Sequence, residues 1–342
     1  LHLIADNQSF PIPKTNNILV KKFLVIQTAF LGDVILATPV VSELARLFPD
    51  SRIDILVRKG NETLLSNNQK INEVLILDKK APKFQTLKIL LKKIRANKYD
   101  EVINLHRFAS TGILTAFSGA KHKVGFDKNP FSFAYSIKIK HRLTGEHEVR
   151  RNLACLAHLG AASMVKPELF PSEIDFQKVK PFMEQKYYCL APASVWFTKQ
   201  LPISKWIELA RILSKLGKVY FIGGPGDKDL CDSIIEKVEG DSCENVAGNF
   251  SFLESAVLMK NAKRNYVNDS GPMHICSAMN AATTAFYCST IPSFGFGPLA
   301  DDSEIIETEL ELTCRPCGLH GFKACPKSHF NCGNSVNLNV KF

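Results

Sequence analysis

The chain has 342 residues, 45% hydrophobic and 22% charged, with a net charge of +10. One hydrophobic core stops growing at roughly 250 to 300 residues, so two domains are expected. The composition is that of a globular protein. No apolar run nears the ~18 residues that span a bilayer, and the N-terminus lacks the basic, apolar, small-residue order of a signal peptide, so a cytoplasmic protein is expected.

The charge is concentrated. Residues 79–151 hold 17 Lys or Arg against 5 Asp or Glu, which leaves the rest of the chain slightly acidic. Such a segment reads either as a solvated basic face or as one that meets an anion: a phosphorylated acceptor, an anionic membrane surface or nucleic acid. Nucleic acid ranks last, because no aromatic residues are interleaved as a stacking platform.

Residues 1–22 carry little pattern and read as a lead-in. From Phe23 the chain alternates: strand 23–27, a short loop ending in Gly32-Asp33, an apolar helix to about Phe48 bent at Pro39, strand 52–57 and a short helix. Strand 74–77 precedes a helix over 84–97, where Leu87, Leu90, Leu91 and Ile94 recur at helical spacing opposite lysines. Strand 101–104 follows. Short apolar strands alternating with helices predict a mostly parallel sheet covered on both faces. A polar, proline-containing stretch, 166–182, reads as the linker between a first domain over 23–175 and a second over 183–333. The second series comprises strands 187–191, 218–222, 265–268 and 283–287, with helices over 204–216, 227–238, 252–261 and 272–279.

Three segments carry candidate chemistry. Asp33 follows the first strand of an α/β unit, where open sheets of this kind bind ligands. It reads as a catalytic carboxylate, with a helix N-cap as the bland alternative. Lys199 sits in the loop after the first strand of the second series, with Ser194 and Thr198, and its ammonium and their hydroxyls suit phosphate oxygens. Asp269-Ser270-Gly271-Pro272-Met273-His274 opens a helix with proline in its first turn, an anion site suited to a diphosphate. Asp269 would repel phosphate and suits a sugar hydroxyl. His274 reads equally as a ligand group or a buried helix histidine. The turn 223–227, with Gly224 and Asp227, is a candidate for ribose or base.

Of ten cysteines, six lie singly in apolar segments and read as small buried hydrophobes. Cys314, Cys317, Cys325 and Cys332, interspersed with His320 and His329, could close a zinc site, but the later pair is too widely spaced for that to be the favoured reading.

Gly-Asp-x-x-x-x-Thr-Pro at residues 32–39, the Lys199 loop and Asp-Ser-Gly-x-x-His at residues 269–274 together resemble the ADP-heptose:lipopolysaccharide heptosyltransferases of glycosyltransferase family 9, from about Phe23 to Gly333. The resemblance implies a GT-B fold, two Rossmann-like domains with parallel sheets facing across a cleft. It implies acceptor binding by the first domain and ADP-sugar binding by the second. Asp33 would then be the general base of an inverting transfer. Ser194, Thr198, Lys199, Gly224, Asp227, Asp269, Ser270, Gly271 and His274 would hold the ADP-heptose donor. The basic stretch, with Arg107, His141, Arg142 and Arg151, would meet the lipopolysaccharide core acceptor at the anionic inner-membrane surface. No metal or further cofactor is expected, since Lys199 and the Gly271 helix terminus could handle the charge of the leaving diphosphate without one. Another GT-B transferase, a nucleotide-sugar epimerase and a nucleotide-binding module are the rival readings. An oxidoreductase is disfavoured, because residues 28–32 lack a GxGxxG turn.

Overall fold

The structure, a computed structural model, describes residues 20–143 and 145–342. Most of the expected lead-in, residues 1–19, lies outside them. The first sheet is built from β1 (Lys22–Ile26), β2 (Arg52–Arg58), β3 (Glu73–Leu77), β4 (Glu101–Asn104), β5 (His122–Phe126) and β6 (Ile137–Ile139). The second contains β7 (Tyr187–Ala191), β8 (Lys218–Phe221), β9 (Cys243–Asn245), β10 (Asn265–Asn268), β11 (Thr283–Tyr287) and β12 (Ser303–Glu307). The orders are β3-β2-β1-β4-β5-β6 and β12-β11-β10-β7-β8-β9, the same doubly wound arrangement twice. Every ladder is parallel; Val25 lies between Ile55 and Ile103, and Val267 between Ala191 and Ala285. Strand order reverses between β1 and β4 and again between β7 and β10, and the crevice outside the carboxyl ends at such a point receives ligands. Asp33 follows β1, Arg107 follows β4, Lys199 follows β7 and Asp269 follows β10.

The helices of the first half are α1 (Leu31–Ile35), α2 (Thr38–Leu47), α3 (Lys83–Asn97), α4 (Ala109–Ala116) and α5 (Glu148–Ala154). The single bent helix expected after β1 is two helices. Pro39 lies in the first turn of α2, where its missing N–H and fixed φ are tolerated, so it starts a helix instead of bending one. Those of the second half are α6 (Glu173–Val179), α7 (Ile203–Leu213), α8 (Lys228–Ile235), α9 (Phe252–Asn261), α10 (Gly271–Met279) and α11 (Asn331–Asn334). The stretch expected as a bare linker carries α6. Ser172 and Asp175 form a reciprocal capping box that starts it, and Lys178 pairs with Glu254 of α9 at 3.0 Å.

Apolar packing falls into three layers. Leu24, Ile26, Leu56 and Val102 pack outward under α3, and Tyr188, Leu190, Phe221 and Tyr266 pack outward under α7 and α8. The third cluster runs from Val25, Val34 and Val40 through Val149 and Leu153 to Leu258, Met273 and Val267, so one apolar layer joins the inward faces of both sheets. Among the described residues no helix is long and apolar enough to cross a membrane.

Candidate active site

A cleft of about 330 Å³ lies between the carboxyl ends of the two sheets. It brings together Asp33 and Gly32 from one side, and Ser194, Lys199, Asp269, Ser270, Gly271 and His274 from the other.

Asp33 occupies the third position of α1, whose N-cap is Phe30. Its Oδ2 accepts the Phe30 N–H at 3.1 Å, so it does serve the helix start, from inside the first turn and not as the cap itself. Burial, and then the negative charge of Glu148, raise its pKa to about 6, against the Phe30 N–H and the Arg107 charge, which lower it. A carboxylate tuned to that range can accept a proton near neutrality.

On the opposite wall Lys199 Nζ lies 2.7 Å from Asp269 Oδ2, both side chains largely buried. The same oxygen accepts the Thr290 hydroxyl at 2.7 Å. Ser270 N-caps α10 in extended conformation, yet its hydroxyl makes no bond to the helix's first N–H groups and donates only a long bond, 3.4 Å, to Asn268 O. The positive end of α10 thus points into the cleft beside a lysine, a setting suited to phosphate.

The two walls touch where side chains are absent. A Cβ on Gly271 would stand 2.8 Å from Leu31 Cδ2, so a side chain there would make the end of Leu31 shift. His274 is buried beneath, its pKa pushed down to about 4 by burial, with Asp269 opposing, so the ring is neutral near pH 7. Helix α5 fastens the same junction: Glu148 N–H donates to Gly295 O at 2.7 Å, and His147 Nε2 lies 3.0 Å from Gly297 O.

Other expected residues fall elsewhere. The Thr198 hydroxyl is buried and committed to the protein, accepting the Phe322 N–H at 2.7 Å and the Ser289 hydroxyl at 3.0 Å. Gly224 and Asp227 lie beyond β8, outside the cleft lining, where Asp227 Oδ2 accepts the Gly224 N–H at 2.7 Å. Arg107 and Arg142 are exposed. His141 is buried edge-on against Phe126, and burial, with Arg107 and Arg151 nearby, lowers its pKa to about 4. Arg151 was expected to meet an acceptor. Instead it is buried, paired with Glu148 at 2.6 Å and donating to Glu146 O and Phe294 O, so its donors are used internally.

Sequence reasoning missed the apolar lining, Trp196, Phe252, Ile291, Phe294, Phe296 and Leu319, and the place of His320 in it. The cysteine-rich segment folds back over the Lys199 loop: Cys317 N–H donates to Ser289 O at 2.8 Å, and Thr198 N–H to Phe322 O at 3.1 Å. Arg315 holds it there, donating to Cys288 O at 2.7 Å and Thr290 O at 2.8 Å. The only sequence signal for His320 was its nearness to the cysteines. Cys332 is buried in the outer core, Cys314 Sγ lies 3.8 Å from His329 Nε2, and among the described residues no three His, Cys, Asp or Glu side chains are disposed to hold a metal ion.

Comparison with known proteins bears on the family and the fold. The family model for glycosyltransferase family 9 (heptosyltransferase) matches residues 88–320. The chain is 28% identical over 277 residues to lipopolysaccharide heptosyltransferase 3 of Escherichia coli, covering 76% of this chain and 82% of that protein. It is 23% identical over 310 residues to lipopolysaccharide heptosyltransferase 2 of Escherichia coli K12, covering 83% and 87%. In fold it is similar to the family 9 glycosyl transferase from Veillonella parvula (TM-score 0.77, 24% identity, 83% and 85% covered). The Escherichia coli ADP-heptose lps heptosyltransferase II also shares the fold (TM-score 0.73, 20% identity, 92% and 97% covered). The matched region covers more than half of the chain, and the chain belongs to glycosyltransferase family 9, the heptosyltransferases.

Proposed function

We propose that this glycosyltransferase moves heptose from ADP-heptose to the inner core of lipopolysaccharide, with inversion at the anomeric carbon. The observation that carries the mechanism is one carboxylate, Asp33, with a pKa raised to about 6, facing Lys199, Asp269 and the α10 N-terminus across a single cleft.

The acceptor hydroxyl gives its proton to Asp33 while its oxygen attacks the anomeric carbon. The bond from that carbon to the β-phosphate oxygen breaks on the opposite face, and ADP leaves. One in-line displacement with one base and no enzyme nucleophile inverts the centre. Lys199 and the Gly271 end of α10 take up the charge that develops on the diphosphate. Lys199 exchanges its Asp269 partner for phosphate, and Asp269 then holds a donor sugar hydroxyl. Trp196, Phe294 and Phe296 exclude water from the reacting centre. The exposed Arg107 and Arg142 meet the anionic acceptor, while His141 and Arg151 position the loops that carry them. The basic stretch over residues 79–151 faces the anionic inner membrane, where the enzyme works from the cytoplasmic side.

The test is acceptor-dependent ADP release from ADP-heptose, with a heptose-deficient core acceptor and a donor-only control. Release that needs acceptor and disappears in Asp33→Ala supports the reading. ADP binding without release under any pairing of these substrates removes it.

A further inference from the structure

The cysteine-rich segment closes one side of the cleft with a tip that carries Leu319 and His320, and both line the cavity with Lys199, Ser270 and Gly271. Two glycines frame the tip, Gly318 at φ +67° and Gly321 at φ +75°, in the left-handed region where glycine meets no Cβ clash. The chain turns on either side of two side chains and presents both to the cleft.

Hydrogen bonds on both sides fix this tip. Arg315 donates to Cys288 O at 2.7 Å and Thr290 O at 2.8 Å and pairs with Glu307 at 2.5 Å, while Phe322 N–H donates to the Thr198 hydroxyl at 2.7 Å. A Cβ on Gly321 would stand 2.8 Å from Thr198 Oγ1, 3.0 Å from Ser289 Oγ and 3.1 Å from Lys199 Cγ. The backbone next to His320 therefore lies against the stem of the lysine that faces the diphosphate side. The His320 ring is exposed and takes no part in the bonds that brace the segment. A side chain placed by a braced turn is ordered before a ligand arrives, which lowers the cost of binding.

Three charges act on that ring from both walls. Burial first, then Lys199 of the second domain and Arg107 of the first, lower the pKa of His320, with Asp269 opposing. The imidazole is thus neutral near pH 7 and carries one N–H in either tautomer. A group within reach of Lys199 and Asp269 on one wall and Arg107 on the other stands at the seam of the domains. It faces the phosphate that bears the transferred sugar, because that phosphate lies nearest the base on the first domain.

We propose that His320 is a further donor-site residue, whose ring N–H donates a hydrogen bond to the β-phosphate of the nucleotide sugar and of the ADP left behind. The inference rests on the transferase reading for its place in the reaction, and on the cleft alone for its diphosphate chemistry. When the bond from the anomeric carbon to the β-phosphate oxygen breaks, the electron pair stays on that oxygen. The growing charge strengthens the His320 bond while the ring keeps its proton. Lys199 supplies a point charge, and His320 adds a directional contact.

The test is calorimetric titration of the full chain with ADP and with AMP, which lacks the β-phosphate, in the wild type, His320→Ala and His320→Gln. His320→Ala should lose about tenfold or more in ADP affinity with AMP affinity unchanged, and His320→Gln, whose amide also donates, should recover most of the loss. His320 is exposed, so neither substitution empties a core. Absent ADP binding, an equal loss of ADP and AMP affinity, or ADP affinity indifferent to His320→Ala overturns the proposal. A His320-dependent preference for ADP over AMP in a protein that transfers no heptose keeps the contact and removes the transferase reading. Heptose transfer with unchanged ADP affinity in His320→Ala does the reverse.

Discussion

Gly32 and His274 meet across the junction of the two domains: a Cβ on Gly32 would stand 2.5 Å from His274 Cδ2. The contact sets how closely α1, which carries Asp33, approaches α10, whose N-terminus faces the donor side of the cleft. Gly32→Ala must push a buried ring or part the two helices, an overpacking cost of about 1–3 kcal/mol. His274→Ala vacates that space, so the double variant should recover part of the loss. Urea unfolding of the four proteins in a double-mutant cycle measures the coupling, and additivity would mean that the two residues do not bear on each other.

The raised pKa of Asp33 makes a kinetic prediction. Transfer should fall about tenfold per pH unit below a limb near 6, and Asp33→Asn should lose roughly 10²–10⁴-fold in rate while still binding ADP. Glu148→Gln removes a like charge and should move the limb to lower pH. A limb that stays in place would show that burial alone sets the shift.

The same shift has a consequence for stability, of the opposite sign to that of an ion-paired carboxylate. The folded-state pKa, about 6, exceeds the ordinary value of 3.8, so the protonated form is the one that folding favours. The contribution is fully present below about 4 and is lost as pH rises through 6. Asp33→Asn should therefore stabilise the protein by about 1–3 kcal/mol at pH 8 and by nearly nothing at pH 4. Thermal unfolding at the two pH values, wild type against variant, reads the difference.

Lys199 is held by Asp269 in the structure without donor, so diphosphate and Asp269 compete for one ammonium. Lys199→Ala should weaken ADP at least tenfold in calorimetry. Asp269→Asn leaves the ammonium short of its partner and should destabilise the protein by about 1–3 kcal/mol, less than a fully buried pair because the cleft is open to water. ADP should restore part of that loss, seen as a larger rise in melting temperature on ADP addition than the wild type shows.

Thr198 does its work through the cysteine-rich segment. Thr198→Val strips the acceptor from the Phe322 N–H and should cost about 1–3 kcal/mol. Limited proteolysis should then cut within residues 317–325 faster than in the wild type, with ADP affinity reduced only as far as the Lys199 loop and His320 loosen. Equal cleavage rates would mean that Arg315 alone holds the segment.

Much of the architecture was legible because strongly apolar, well-punctuated segments leave few alternatives. β1, β4, β7, β10 and β11 are buried along most or all of their length, and their runs of Val, Ile, Leu, Phe and Tyr stand out in the sequence. The elements not anticipated include β5 (His122–Phe126) and α5 (Glu148–Ala154), whose polar and charged residues mask their buried positions, and others whose burial is partial or whose composition is mixed. β6 (Ile137–Ile139), β9 (Cys243–Asn245) and β12 (Ser303–Glu307) are half-exposed edge strands, and α4 (Ala109–Ala116) contains Gly and two Thr. Pairing with a neighbouring strand stabilises such segments, and a local pattern does not record it.

Chain order also determined which residues could reach the cleft, because loops after the first and fourth strands of a doubly wound sheet converge at the reversal point. Asp33, Lys199, Asp269, Ser270 and Gly271 were identifiable on that ground. Which of the remaining polar groups are free, and which are already used, was decided by tertiary structure alone. Thr198 and Arg151 have side chains as suitable for a ligand as those of Ser194 and Arg107, yet packing brings them to Phe322 and Glu148, and a donor or acceptor satisfied within the fold is not available to a substrate. The sequence determined two parallel sheets and the residues at their switch points. The packing of α5, α10 and the cysteine-rich segment between them decided the shape, the apolar lining and the electrostatics of the cleft, since those depend on contacts between residues more than a hundred positions apart.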